Sequence, residues 1–137
     1  MQNPIVRAIV AVVAGVVAAF IVVALLEGLG HMVFPPPPGL DPMKPDDQAK
    51  LMSVIPLGAK IAVVVAWFFG SLTGAVVAAK IGQKPLYAWV IGAIMIALSV
   101  VTTTMFPHPV WMVIAAVVLP VVAAAIAIPL SRPRVSP

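Results

Sequence analysis

Residues 57–81 read LGAKIAVVVAWFFGSLTGAVVAAKI, and the fold turns on how this stretch is read. Its Val and Ile content would suit a strand in water. The run is nevertheless longer than the roughly 20 residues that cross a ~30 Å hydrocarbon core at ~1.5 Å per residue. In lipid a helix satisfies every backbone amide within its own segment, so an uninterrupted run of this length is a helix. Ala66, Gly70, Gly74 and Ala78 recur along it every four residues, around the small-residue core GSLTG. No hydrophobic force draws helices together in lipid, so small residues that let backbones approach carry their association. This stripe is either a packing face inside one bundle or a seam between copies, and a span among three neighbours needs such a face in any case.

Three more stretches follow the same rule: residues 4–26, 86–106 and 110–130. Pro4 suits a first helical turn. Pro120 and Pro129 leave carbonyls one turn upstream without partners and are expected to kink the last span. The first span exceeds the roughly 7–15 apolar residues of a signal-peptide core, and no small-x-small site follows Glu27, so it reads as a retained span. The expected fold is an all-α membrane protein: a four-transmembrane-helix bundle with a short extracytoplasmic lid helix, one membrane domain over residues 1–137.

Composition agrees. The 137 residues are 63% hydrophobic and 9% charged, against roughly 25% charged in soluble domains, so the solvent is lipid. The absence of cysteine excludes disulfides, thiolate metal sites and cysteine nucleophiles. A net charge of +4 could suggest nucleic acid, but the cations sit at the ends of spans, so the partner they imply is the bilayer. Arg7, Lys80, Lys84, Arg132 and Arg134 fall at one end, while Lys44, Lys50 and Lys60 share the other with all four acids. That bias puts both termini on the cytoplasmic side of the membrane.

The one substantial loop, residues 34–56, is then outside. Pro35 to Pro38 form a polyproline rod of ~3.1 Å per residue, roughly 12 Å long. Asp46 and Asp47 follow where a helix N-cap and first turn favour negative charge. DDQAKLMSVI reads as a short helix with Leu51, Met52 and Ile55 on one apolar face, lying on the interface as a lid.

Chemistry has few carriers. Glu27 and His31 are four apart and share a helical face if the first helix continues past Leu26. Topology brings His108, in the link FPHPVW, to the same side, with Lys60 at similar depth and Trp67 two turns below it. Ser99, Thr102 and Thr103 share a face of the third span near that depth. Two imidazoles and a carboxylate could hold a divalent transition metal as ligands Glu27, His31 and His108. Alternatively, Glu27 and Lys60 form an interfacial ion pair and the histidines are ordinary boundary residues. Tyr87, Trp89 and Trp111 fit aromatic belts. No serine has a base beside it, and no phosphate loop or carboxylate pair occurs, so catalysis is not expected.

The segments EGLGH, PPPPGLDP and PHPVW, together with the four spans, resemble a group of small bacterial inner-membrane proteins to which no activity is assigned. The resemblance implies that Glu27, His31, Pro36, Pro37, Gly39, Asp41, His108 and Trp111 form one outer-face constellation. Two functions remain open at this level. One is a non-catalytic protein acting by helix association, with itself or within a larger membrane complex. The other is a metal- or small-ligand-binding protein with its site at the outer mouth.

Overall fold

A computed structural model of the chain describes residues 3–134. These form α1 (Pro4–Val33), α2 (Pro45–Val54), α3 (Leu57–Gly82), α4 (Leu86–Met105) and α5 (Val110–Ser131), with no strand among the described residues. All but α2 are long and apolar enough to cross a membrane, as a multi-pass protein requires.

The first helix exceeds its expected length. It continues beyond Leu26 through Gly28 and Gly30 to Val33, 30 residues in all. At ~1.5 Å per residue that is about 45 Å, against a hydrocarbon core of ~30 Å. The helix thus exceeds the thickness of the apolar slab by about 15 Å. Both ends are closed by hydrogen bonds. The Asn3 side chain accepts from the Ile5 amide at 2.8 Å, and the Phe34 amide donates to the Gly30 carbonyl at 2.8 Å. Glycine disfavours a helix only by about 1 kcal/mol, which these closures offset.

The central element is α3. It packs against α1 on one side and against α4 and α5 on the other, while α1 meets α4 along a short edge and stays clear of α5. Small residues occupy the inside. Ala11, Ala19, Ala66, Ala75, Ala78, Ala88, Ala116, Ala123, Ala124 and Ala127 are fully buried, whereas Ile5, Ile9, Val13, Phe20, Val118 and Ile126 face outward. That is the reverse of a soluble core, and lipid explains it: large aliphatic side chains gain nothing by leaving an equally apolar solvent, so close backbone approach decides what is buried.

The α3 stripe is spent within the chain. A Cβ placed on Gly74 would stand 2.6 Å from the Gly15 carbonyl oxygen and 2.9 Å from the Ala19 Cβ. A Cβ on Gly15 would stand 2.8 Å from both the Ala78 Cβ and the Gly74 carbonyl oxygen. Gly70 lies against Val23 and the Ala19 carbonyl. A second seam joins α4 to α5, where Gly92 faces Ala124 and the carbonyl of Pro120. Pro120 is itself fully buried there.

The turn after α3 uses Gln83 in the left-handed region, at φ 58°. Its side chain accepts a hydrogen bond from Arg7 Nη1 at 3.0 Å, tying the start of α1 to the α3–α4 turn. At the opposite end, Lys44 occupies the N-cap position of α2 without a side-chain bond, and Pro45 opens the helix. Asp46 is thus a first-turn residue and not the cap. Asp47 has a different task. Its carboxylate accepts from the Asp41 amide at 3.0 Å, while Asp41 Oδ1 accepts from the Met43 amide at 2.9 Å, folding the loop onto the helix start.

Candidate functional site

Extension of α1 to Val33 puts Glu27 and His31 one turn apart on a continuous helix. Both line a cavity of about 150 Å³ at the lid end of the bundle. The turn after α1 (Phe34 and Pro35 to Pro37) covers it on one side, and Met52 of α2 with Ile55 just beyond it on another. The start of α3 supplies Ala59, Lys60, Ala62 and Val63, and the last wall comes from His108 and Met112. Five separate segments therefore converge on one space.

Close packing holds the rim together. Gly58 lies under the Phe34 ring, so that an added Cβ would come within 2.6 Å of Phe34 Cζ. Gly30 faces Ala62, where an added Cβ would meet the Ala62 Cβ at 3.4 Å. These two contacts bind the end of α1 to the start of α3 and set the width of the cavity. Leu51 is buried, and Met52 packs on the cluster of Trp67, Met112 and Ala116 beneath. The lid helix is seated by side chains, without backbone contact to the bundle.

Trp67 forms the centre of that cluster and is 6% exposed. The indole lies within hydrogen-bonding reach of the Glu27 carboxylate. Its only side-chain donor is Nε1–H, so the indole donates and the carboxylate accepts. On its other side the indole faces His108, with ring centroids 5.9 Å apart and planes tilted 46°. The Phe106 ring meets His108 edge-on at 6.2 Å. His108 Nδ1 is 2.8 Å from the Phe106 carbonyl oxygen. A carbonyl only accepts, so Nδ1–H is the donor in this contact.

The residues singled out from sequence are thus placed as follows. Glu27, His31, Lys60 and His108 line one cavity, with Pro36 and Pro37 beside them. Gly39, Asp41 and Trp111 do not line it. Among the described residues no three His, Asp or Glu side chains are grouped so as to hold a metal ion, while Glu27, His31 and His108 all line the one cavity. His31 lies one turn from Glu27 along the same helix, and Lys60 of α3 lines the cavity with them. Thr102 and Thr103 donate to the Leu98 and Val100 carbonyls of their own helix, and neither they nor Ser99 reach the cavity. Ala66, Gly70, Gly74 and Ala78 are buried along α3. Tyr87 lies across Gly82, leaving Trp89 and Trp111 as the belt residues that face outward.

Sequence reasoning passed over Phe34, Met52 and Met112 as parts of the site. Met112 carried a faint signal, since it follows His108 by four residues, in the first turn of α5. Phe34 carried none, because its role depends on Gly58 of another helix.

No family model, curated protein or solved structure matches the chain.

Proposed function

We propose that this is a non-catalytic inner-membrane protein that binds a compact organic ligand in the lid-end cavity, with both termini in the cytoplasm and the cavity opening on the outer side. The observation that carries this reading is the convergence of Glu27, His31, Lys60 and His108 on one largely apolar space of about 150 Å³. Predominantly apolar walls with a few convergent polar groups are the usual character of small-molecule sites. A cavity of that size accepts about one benzene ring. The prolines, Phe34 and the two methionines suit an apolar body. Glu27, beside the cavity and within reach of Trp67, suits a hydrogen-bond donor or a cation on that body.

Association through the α3 stripe has less support, because Gly70 and Gly74 are already filled by α1.

The test uses Trp67 as reporter in a Trp89→Phe, Trp111→Phe background, reconstituted in zwitterionic nanodiscs. Benzylamine should quench its emission saturably, and Glu27→Gln should weaken that response by about tenfold or more, the loss of one charge-assisted hydrogen bond. A linear, non-saturating response equal in both proteins would mean simple partition into lipid and would sink the reading.

A further inference from the structure

The opposite end of the bundle carries a different feature. A second, open cavity of about 790 Å³ lies between the α3–α4 turn and the end of α5. Lys80 and Lys84 line it from the turn side, and Arg132 and Arg134 line it from beyond α5. All four acidic residues of the chain, Glu27, Asp41, Asp46 and Asp47, lie at the lid end, so no carboxylate side chain neutralises these cations. The same groove has an apolar floor of Ala79, Ile128 and Leu130.

We infer that this groove is a binding site for the headgroup of an anionic phospholipid, with Lys80, Lys84, Arg132 and Arg134 engaging its phosphates and the apolar floor receiving the start of its acyl chains. The inference is independent of the ligand proposed for the lid end.

Three observations converge on it. The groove opens at the ends of membrane-spanning helices, the depth at which headgroups lie. Arginine offers a planar fork to phosphate and lysine a point charge, so the pairs from the two sides supply complementary contacts. Four cations also exceed what one phosphate monoanion needs, which favours a lipid with two phosphates over one with a single phosphate. Basic pockets between helices on the cytoplasmic face are the usual setting for such headgroups. The α3–α4 turn on this groove is tied to the start of α1 by the Arg7–Gln83 hydrogen bond.

The measurement is native mass spectrometry of lipid retained by the full chain after extraction from nanodiscs of phosphatidylcholine containing diphosphatidylglycerol or phosphatidylglycerol. One diphosphatidylglycerol should be retained in preference to either other lipid. Lys80→Gln with Lys84→Gln should weaken its retention about thirtyfold, at about fivefold per cation removed near an anionic headgroup. Arg132→Gln with Arg134→Gln should act similarly, and Lys44→Gln with Lys50→Gln at the lid end should have no effect. The inference is overturned by retention of phosphatidylcholine equal to that of the anionic lipids. It is also overturned by equal losses from the lid-end pair, or by complete displacement with millimolar inorganic phosphate, which would make the ligand a free anion.

Discussion

The indole of Trp67 and the imidazole of His108 stand 5.9 Å apart across the interface between α3 and the α4–α5 link, and the same indole lies within hydrogen-bonding reach of Glu27 on α1. One buried aromatic residue thereby connects the two ionisable groups most prominent in the sequence. Replacing it should have two separable effects. Trp67→Ala should destabilise the bundle by about 3–5 kcal/mol, the range for emptying a buried aromatic site. Trp67→Phe keeps most of the volume and removes only the donor, so it should cost about 1–3 kcal/mol. Thermal unfolding in detergent, followed by circular dichroism, reads both.

The α1–α3 seam should tolerate almost nothing. With the Gly15 carbonyl 2.6 Å from the place of a Gly74 Cβ, Gly74→Ala should cost about 1–3 kcal/mol, and Gly74→Leu should abolish the folded monomer. Gly28 has open space where its Cβ would stand, so Gly28→Ala should stabilise α1 by about 0.5–1 kcal/mol. If Gly74→Leu left a stable, folded monomer, the seam described here would be wrong. The same melting experiment distinguishes the two glycines.

Ser71 is 1% exposed, and its hydroxyl has no hydrogen-bond partner among the described residues. A buried donor without a partner costs about 1–3 kcal/mol. Ser71→Ala should therefore be neutral or stabilising by up to about that amount. A loss of stability on this substitution would show that the hydroxyl has a partner after all.

The Tyr87 ring occupies the space that a Gly82 side chain would need. Gly82→Ala should destabilise the α3–α4 hairpin, and Tyr87→Ala in the same chain should relieve most of that added cost. A double-mutant cycle should return a coupling of about 0.5–3 kcal/mol, as expected for residues in contact. Additivity of the two substitutions would argue against the contact.

Because the chain has no cysteine, single cysteines report topology cleanly. Met43→Cys, at the exposed lid end, should react with a membrane-impermeant maleimide in intact cells. Lys84→Cys, in the exposed α3–α4 turn, should react only after the membrane is opened. The reversed pattern would invert the proposed orientation.

Much of this was legible in the residues alone. The four spans follow from the length of apolar runs, because lipid leaves the backbone no option but a helix or a closed barrel. The lid helix and the grouping of Glu27, His31, Lys60 and His108 at one end follow from counting spans, a matter of chain order. The stopping point of α1 was less legible. Gly28 and Gly30 suggest fraying, yet the Phe34 ring packed on Gly58 and the bond from its amide to Gly30 carry the helix to Val33.

What a sequence determines here is local: which segments leave water, how long they are, and which side chains share a helical face. Periodicity marks the Ala66, Gly70, Gly74 and Ala78 stripe as a packing surface but does not say what packs on it. Tertiary structure decided that α1 fills the stripe through Gly15 and Ala19. It also gathered the boundary residues round one cavity, lined by Phe34, Met52 and Met112 as well as by Glu27, His31, Lys60 and His108, with Trp67 packed against Met112 next to it. The physical reason is that helix pairing in lipid depends on the fit of two surfaces distant in the chain, and each helix records only its own half of that fit.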